Sequence, residues 1–251
     1  MADLPILRDC LVALTQARIL LGRAGQAMPT RALLEFQLDH ARARDAVHTA
    51  LDPAALAAAI GQSCIVVRSR ARDRTEYLKR PDLGRLLHAE DISLLTGHGP
   101  GTGTGATLAI IVADGLSAAA VHAHAAPLIA AIIERLPDWR IAPLVLALQA
   151  RVALGDDIGE ALVADLSLVL IGERPGLSAP DSLGAYLTWA PRRGRRDSER
   201  NCVSNIRPPH GLSYGAAADT IVALMRSASG LRLTGVELKD GMVSLLPPYA
   251  G

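Results

Sequence analysis

Leu7, Leu11 and Leu14 recur at helical spacing near the start of the chain, with Leu4, Ile6 and Ile19 around them. This rhythm predicts an amphipathic helix over 4–20, with Pro5 tolerated in its first turn. Gly22-Arg23-Ala24-Gly25 and Met28-Pro29-Thr30 break the pattern and read as a turn, with Thr30 as the N-cap of a second helix. That helix runs to about residue 50 on the apolar positions Leu34, Leu38, Ala41 and Ala46. Asp52-Pro53 opens a third helix through residue 59, and residues 65–67 read as a short strand. Residues 73–87 are charged, and Pro81 there can start a helix but cannot continue one.

Beyond residue 105 the pattern changes. Residues 108–113, 141–148 and 166–171 are unbroken apolar runs, the first ending in Asp114-Gly115 and the third in Gly172. Helical segments at 117–136 and 156–163 separate them, 183–190 and 202–206 read as further strands, and 214–225 as a helix. Strands without alternation are buried on both faces, which predicts a parallel sheet flanked by helices with right-handed crossovers. The expected fold class is therefore α/β: an open, doubly wound, Rossmann-like parallel sheet over 106–251, preceded by a mostly helical region over 1–96. The stretch 97–105, GHGPGTGTG, has almost no side chains to pack and reads as a linker. It lacks the Gly-Lys-Ser/Thr ending of a Walker phosphate loop.

Ligands of open α/β sheets bind beyond the carboxyl ends of the strands. That rule selects the loops near Asp114, at 149–152, at 172–176, and the stretch around Cys202. Gly172-Glu173-Arg174-Pro175-Gly176 allows close backbone approach and carries charge, as a binding loop would, or as residues capping the next element would. The polar run Asn201 to Arg207 reads equally as a ligand contact or as a self-bonded turn. Cys202 has no sequence signature of a nucleophile and suits a small apolar contact. His122 and His124 stand two apart on a helix and do not form a metal pair. His40 reads as a helix-surface residue, and Asp156-Asp157 as carboxylates favouring a helix N-terminus.

Composition narrows the classes. A net charge of +1 gives no basic excess for nucleic acid or anionic lipid. No apolar run reaches a membrane span and the start does not read as a signal peptide, so a cytoplasmic location is expected. The three cysteines are far apart and read as reduced thiols.

Several long blocks resemble one family in the right order. They are 22–25 (GRAG), 30–47 (TRALLEFQLDHARARDAV), 77–87 (YLKRPDLGRLL), 113–118 (ADGLSA), 157–160 (DIGE), 171–190 (IGERPGLSAPDSLGAYLTWA) and 197–207 (DSERNCVSNIR). They are similar to the small subunit of ethanolamine ammonia-lyase, from about residue 18 to 225. The resemblance implies a carbon–nitrogen lyase that converts ethanolamine to acetaldehyde and ammonia with adenosylcobalamin, active only together with a large subunit. It implies a hexamer of heterodimers, with the corrinoid between the two chains and ethanolamine held mainly by the large one. By motif it carries the small subunit's cobalamin contacts onto Val152, Glu173 and Cys202. It implies no catalytic acid or base and no metal ligand on this chain, because no Asp-x-His-x-x-Gly motif is present to supply a histidine to cobalt. Three departures stand out: the Gly-rich stretch at 97–105 is not a family hallmark, Ala150 replaces a Gly found in many relatives, and the first residues are shorter than the extension that packages some relatives into a microcompartment. A nucleotide-binding oxidoreductase would need its glycines after a first strand, whereas here they precede one. A purely structural or packaging role is the other alternative.

Overall fold

The computed structural model describes residues 10–12, 14–15, 17–98 and 105–238. Residues 4–9, 13 and 16 of the helix expected over 4–20, the core of the Gly-rich linker (99–104) and the tail after 238 lie outside them; of the rest of that helix, residues 17–20 are not helical. Among the described residues, no helix is long and apolar enough to cross a membrane.

The second expected helix is α1, Thr30–His48. Its N-cap is Pro29, which has no side chain to accept a hydrogen bond, so Thr30 is the first helical residue and not the cap. The rhythm of α1 is helical, but among the described residues only the C-terminal end of its stripe is covered: Ala46 is buried, whereas Leu34 is 58% and Leu38 51% exposed. His40 is exposed and stacks on Phe36. Helix α2, Pro53–Ile60, is capped as its Asp-Pro start predicts, with Asp52 accepting from the backbone of Ala54 and Ala55. Strand β1 is Cys64–Arg68, and α3, Arg74–Lys79, ends just ahead of Pro81. A short helix α4, Ile92–Thr96, follows.

The remaining elements are β2 (Thr107–Ala113), α5 (Ala118–Glu134), β3 (Arg140–Ile141), β4 (Leu144–Leu148), α6 (Leu154–Ala161), β5 (Leu166–Gly172), β6 (Leu183–Trp189), β7 (Asn201–Ile206) and α7 (Tyr214–Leu231). The apolar run over 141–148 is two strands. β3 pairs with the start of β2 and β4 with its end, and Pro143 between them has no N–H to give.

The seven strands form one mixed sheet, six of them in the order β1-β4-β2-β5-β6-β7 and the short β3 beside β2. β1, β4, β2 and β5 are parallel, as the unbroken apolar runs predict. The all-parallel expectation fails at the other edge, where β6 runs antiparallel to both β5 and β7. The chain between β5 and β6 is too short for a crossover helix, so β6 must return beside β5. β1, from the region expected to be mostly helical, is the opposite edge strand of the same sheet.

Helices lie on both faces. One face packs α2, α5 and α7 against Leu108, Ile110, Leu168 and Leu170, and continues over Leu183, Ala185, Leu187, Val203 and Ile206 of β6 and β7. The other face packs α4 and α6 against Val67, Ile111, Val145, Val169 and Ile171. On that second face the apolar cover reaches β5 and then stops, with Tyr186 of β6 only partly buried at its border.

Candidate functional site

The carboxyl ends of the parallel strands are tied together by Asp114. Its buried carboxylate accepts from the backbone N–H groups of Gln149 and Ala150, each at 2.9 Å, and from Arg74 Nη1 at 3.4 Å. Burial pushes this carboxyl group up from its ordinary range, against the pull of those donors. The left-handed residue of this turn is Gln149 (φ 53°), so Ala150 needs no glycine-like backbone and is simply buried. Tyr77 locks the same turn from outside. Its hydroxyl donates to the Ala150 carbonyl at 3.0 Å, and the Arg74 and Arg151 guanidiniums lie 4.9 and 4.3 Å from its ring centroid. Gly84 makes this packing possible, because a Cβ there would stand 2.8 Å from the Tyr77 ring. Val152 follows directly and is half-buried.

Glu173 leaves the end of β5 and folds back over the β6–β7 edge. Its carboxylate accepts from Ser182 Oγ at 2.5 Å, from Ser204 Oγ, and from the Asn205 N–H at 3.3 Å. A β-bulge builds this cradle. Leu183 pairs with Ile206 and Ala185 with Val203, so β7 carries one extra residue, and Asn205 takes φ 60°. Ser204 and Asn205 are consequently both exposed on the same stretch, where regular alternation would bury one of them. Gly184 lies beneath, where a Cβ would stand 2.9 Å from Glu173 Oε1.

Cys202 is not in a strand-end loop, as the ligand rule had suggested. It is the second residue of the edge strand β7, paired with Tyr186 midway along β6, and exposed on the face that the helices leave bare. Because β7 runs in the same direction as β5, its carboxyl end is Ile206 and Cys202 is several residues below it. Burial, and then the neighbouring Cys202 thiol with which it hydrogen-bonds, raises the Tyr186 phenol above its ordinary value.

Two adjoining cavities open on this bare face. One, of about 470 Å³, is lined by Val152, Ala153, Cys202 and Arg200 among others. The second, of about 380 Å³, is lined by Glu173, Arg174, Gly172 and Tyr77 among others. Arg151, Val152 and Tyr186 belong to both. Val152, Glu173 and Cys202 therefore meet around one compound cleft. Arg151, Tyr77 and Tyr186 join them without having been singled out in the sequence. The only signal for Tyr186 was strand alternation, which opposes it to the buried Ala185 and Leu187.

A polar lock closes one end of the cleft. Arg200 and Asp156 form a buried bidentate pair at 2.7 Å on both arms, and Arg200 also donates to Thr188 Oγ1 at 2.8 Å. Burial disfavours the Arg200 charge, but the hydrogen bonds and charge of Asp156 outweigh it and hold the guanidinium above its usual value. Asp157 pairs with Arg193 and accepts from the Leu87 N–H. The two carboxylates thus lie in the first turn of α6, as expected, but they also clamp the segment after β6. His122 and His124 do separate: His122 Nε2 accepts from the Asp52 N–H, whereas buried His124 shares a hydrogen bond with the Tyr214 hydroxyl. No group of three metal-ligating side chains occurs among the described residues.

Comparison with known proteins gives one consistent result. The family model described as ethanolamine ammonia-lyase light chain (EutC) matches residues 8–239. Over 232 residues the chain is 55% identical to the ethanolamine ammonia-lyase small subunit of Azotobacter vinelandii, covering 90% of this chain and 86% of that one. It is 54% identical to the small subunit of Ralstonia nicotianae with the same coverage. It is 56% identical to that of Rhodopseudomonas palustris over 239 residues, 93% of this chain and 90% of that one.

Proposed function

The chain belongs to the ethanolamine ammonia-lyase light-chain family, and from that premise we propose that its bare sheet face is one wall of an adenosylcobalamin pocket completed by a large subunit. The observation that carries this reading is the convergence of Val152, Glu173 and Cys202 on one compound cleft. The residues present suit a corrinoid. Val152, Ala153 and Cys202 offer small, largely apolar contact to a flat ring, and Glu173 offers carboxylate oxygens to the amide donors at the ring's rim. When bound, the cofactor supplies homolysis of a cobalt–carbon bond, the start of the radical deamination of ethanolamine to acetaldehyde and ammonia.

The chain's own residues bind, orient and exclude water. Asp114, Arg74 and Tyr77 hold the Val152 turn rigid from below, so its contact surface is set before a ligand arrives. The Ser182–Ser204–Asn205 cradle fixes the Glu173 carboxylate as an acceptor. We assign this chain no general acid or base and no ligand to cobalt. The large subunit holds ethanolamine in a hexamer of heterodimers, and the exposed stripe of α1 is available for contacts between chains. The 1–96 and 106–251 regions, joined by the Gly-rich stretch, act together in this pocket, in the cytoplasm or packaged within a microcompartment.

The test is reconstitution with the large subunit, followed by adenosylcobalamin titration and an acetaldehyde assay. Glu173→Ala should weaken cofactor binding by about 10-fold or more while the subunit stays folded. An unchanged affinity would remove Glu173 from the site, and a wild-type pair that binds no corrinoid would end the reading.

A further inference from the structure

Among the described residues, two arginines around the cleft carry no carboxylate partner, Arg151 and Arg174, and of these Arg174 is exposed to water whereas Arg151 is half-buried. Arg74 is bonded to Asp114 and two carbonyls, Arg193 to Asp157, and Arg200 to Asp156. Arg151 makes no ion pair or side-chain hydrogen bond among the described residues, and its Nε is buried without a partner. It is nevertheless held in place. Its N–H donates to the Gly84 carbonyl at 2.8 Å, and its guanidinium rests on the Tyr77 ring, itself fixed through the hydroxyl. A half-buried guanidinium, preorganised and lacking an anion, is incomplete. Burial costs it hydration, and among the described residues only the Tyr77 ring offsets that cost, with no carboxylate to complete it.

The surroundings do not supply the missing charge. The larger cavity also presents Arg85 and Arg200, against the single carboxylate of Asp197. Asp197 is already shared between them, 3.8 Å from Arg85 Nη2 and 3.5 Å from Arg200 Nε. The cleft therefore carries a surplus of guanidinium, and Arg151 is the member common to both cavities.

We infer that Arg151 is an oxyanion receptor that takes the phosphodiester of the cofactor's nucleotide tail. This inference rests on the cobalamin reading above. The corrin's side chains are neutral amides, and the phosphodiester is the cofactor's one permanent anion. Its two unshared oxygens match the forked donors of a guanidinium. Arg151 thus sets where the tail lies across this chain, while Val152 and Cys202 contact the body of the ligand.

The experiment uses the reconstituted complex and two probes: adenosylcobalamin, and adenosylcobinamide, which lacks the phosphodiester and its base. Arg151→Ala should weaken adenosylcobalamin binding about 10- to 100-fold and leave the weaker binding of adenosylcobinamide unchanged. Arg151→Lys should fall between, because a lysine keeps the charge but not the fork. Thermal melts and assembly of each variant with the large subunit check that the fold persists. Equal losses for both probes, or no loss for either, would overturn the assignment while leaving the cobalamin reading standing. A wild-type complex that binds neither probe would overturn both.

Discussion

Strands β6 and β7 show two different faces built from the same thirteen residues. On one face Leu183, Ala185, Leu187, Val203 and Ile206 are buried under α5 and α7. On the other, Gly184, Tyr186, Cys202 and Ser204 meet a glutamate, a buried ion pair and a cleft. Period-two alternation produces both faces at once, so the stability of the edge and its capacity to bind were written on alternate residues. A face finished with apolar packing has nothing left to offer a ligand. A face finished with charge and hydrogen bonds keeps groups at its surface that a ligand can use.

That contrast can be broken at its strongest point first. Arg200→Met strips the lock from the binding face and leaves the Asp156 carboxylate buried, which should cost about 3–5 kcal/mol in chemical denaturation. Adding Asp156→Leu should recover most of that loss, because the expense lies in the orphaned charge and not in the absence of the pair. If the single variant melts like wild type, the lock is ornamental and the binding face has no polar framework. On the packed face, Leu187→Ala should cost about 2–5 kcal/mol through lost burial and a residual cavity, and leave cofactor affinity per folded complex unchanged.

Acid should act on the packed face through His124. Burial, outweighing the Asp181 carboxylate 3.7 Å away, holds this imidazole below its ordinary 6.5. The folded chain then binds fewer protons than the unfolded chain, so the His124 contribution is full above pH 6.5 and is lost as the pH falls toward the folded value. His124→Asn should flatten that part of the stability–pH curve, read from denaturant midpoints at each pH; an unaltered slope would move the titration elsewhere. The smallest expected effect on stability is Cys202→Ala, within about 0.5 kcal/mol, since the side chain is exposed. Its signature should be weaker corrinoid binding alone, and a large drop in stability would place Cys202 on the packed side of the comparison.

Much of this architecture was legible before any coordinates. Unbroken apolar runs marked β2, β4 and β5 because a strand covered on both faces has no polar positions to alternate. The Asp52-Pro53 pair marked the start of α2 because a carboxylate cap and a fixed φ leave few other readings. What escaped was not written in the local pattern. Pairing direction at β6 is set by the short link after β5, but the apolar pattern of 183–190 looks alike in either direction. Leu34 and Leu38 follow helical rhythm, but periodicity does not say whether anything covers them. For the cleft, similarity of sequence pointed to Val152, Glu173 and Cys202, whereas Arg151 became distinctive only when it was seen to be half-buried, shared by both cavities and without a carboxylate partner among the described residues. The Asp156–Arg200 lock joins residues 44 apart and has no local signature at all.

The bulge in β7 has a consequence for how the subunit is made. Of the three donors that hold Glu173, only Ser182 precedes residue 200; Ser204 and Asn205 come later. A growing chain that has already emitted β2, β4 and β5 still carries a glutamate with two-thirds of its support untranslated. The cleft is thus among the last features that synthesis can deliver. A message cut short before β7 yields a protein with most of its sheet and a disarmed binding face.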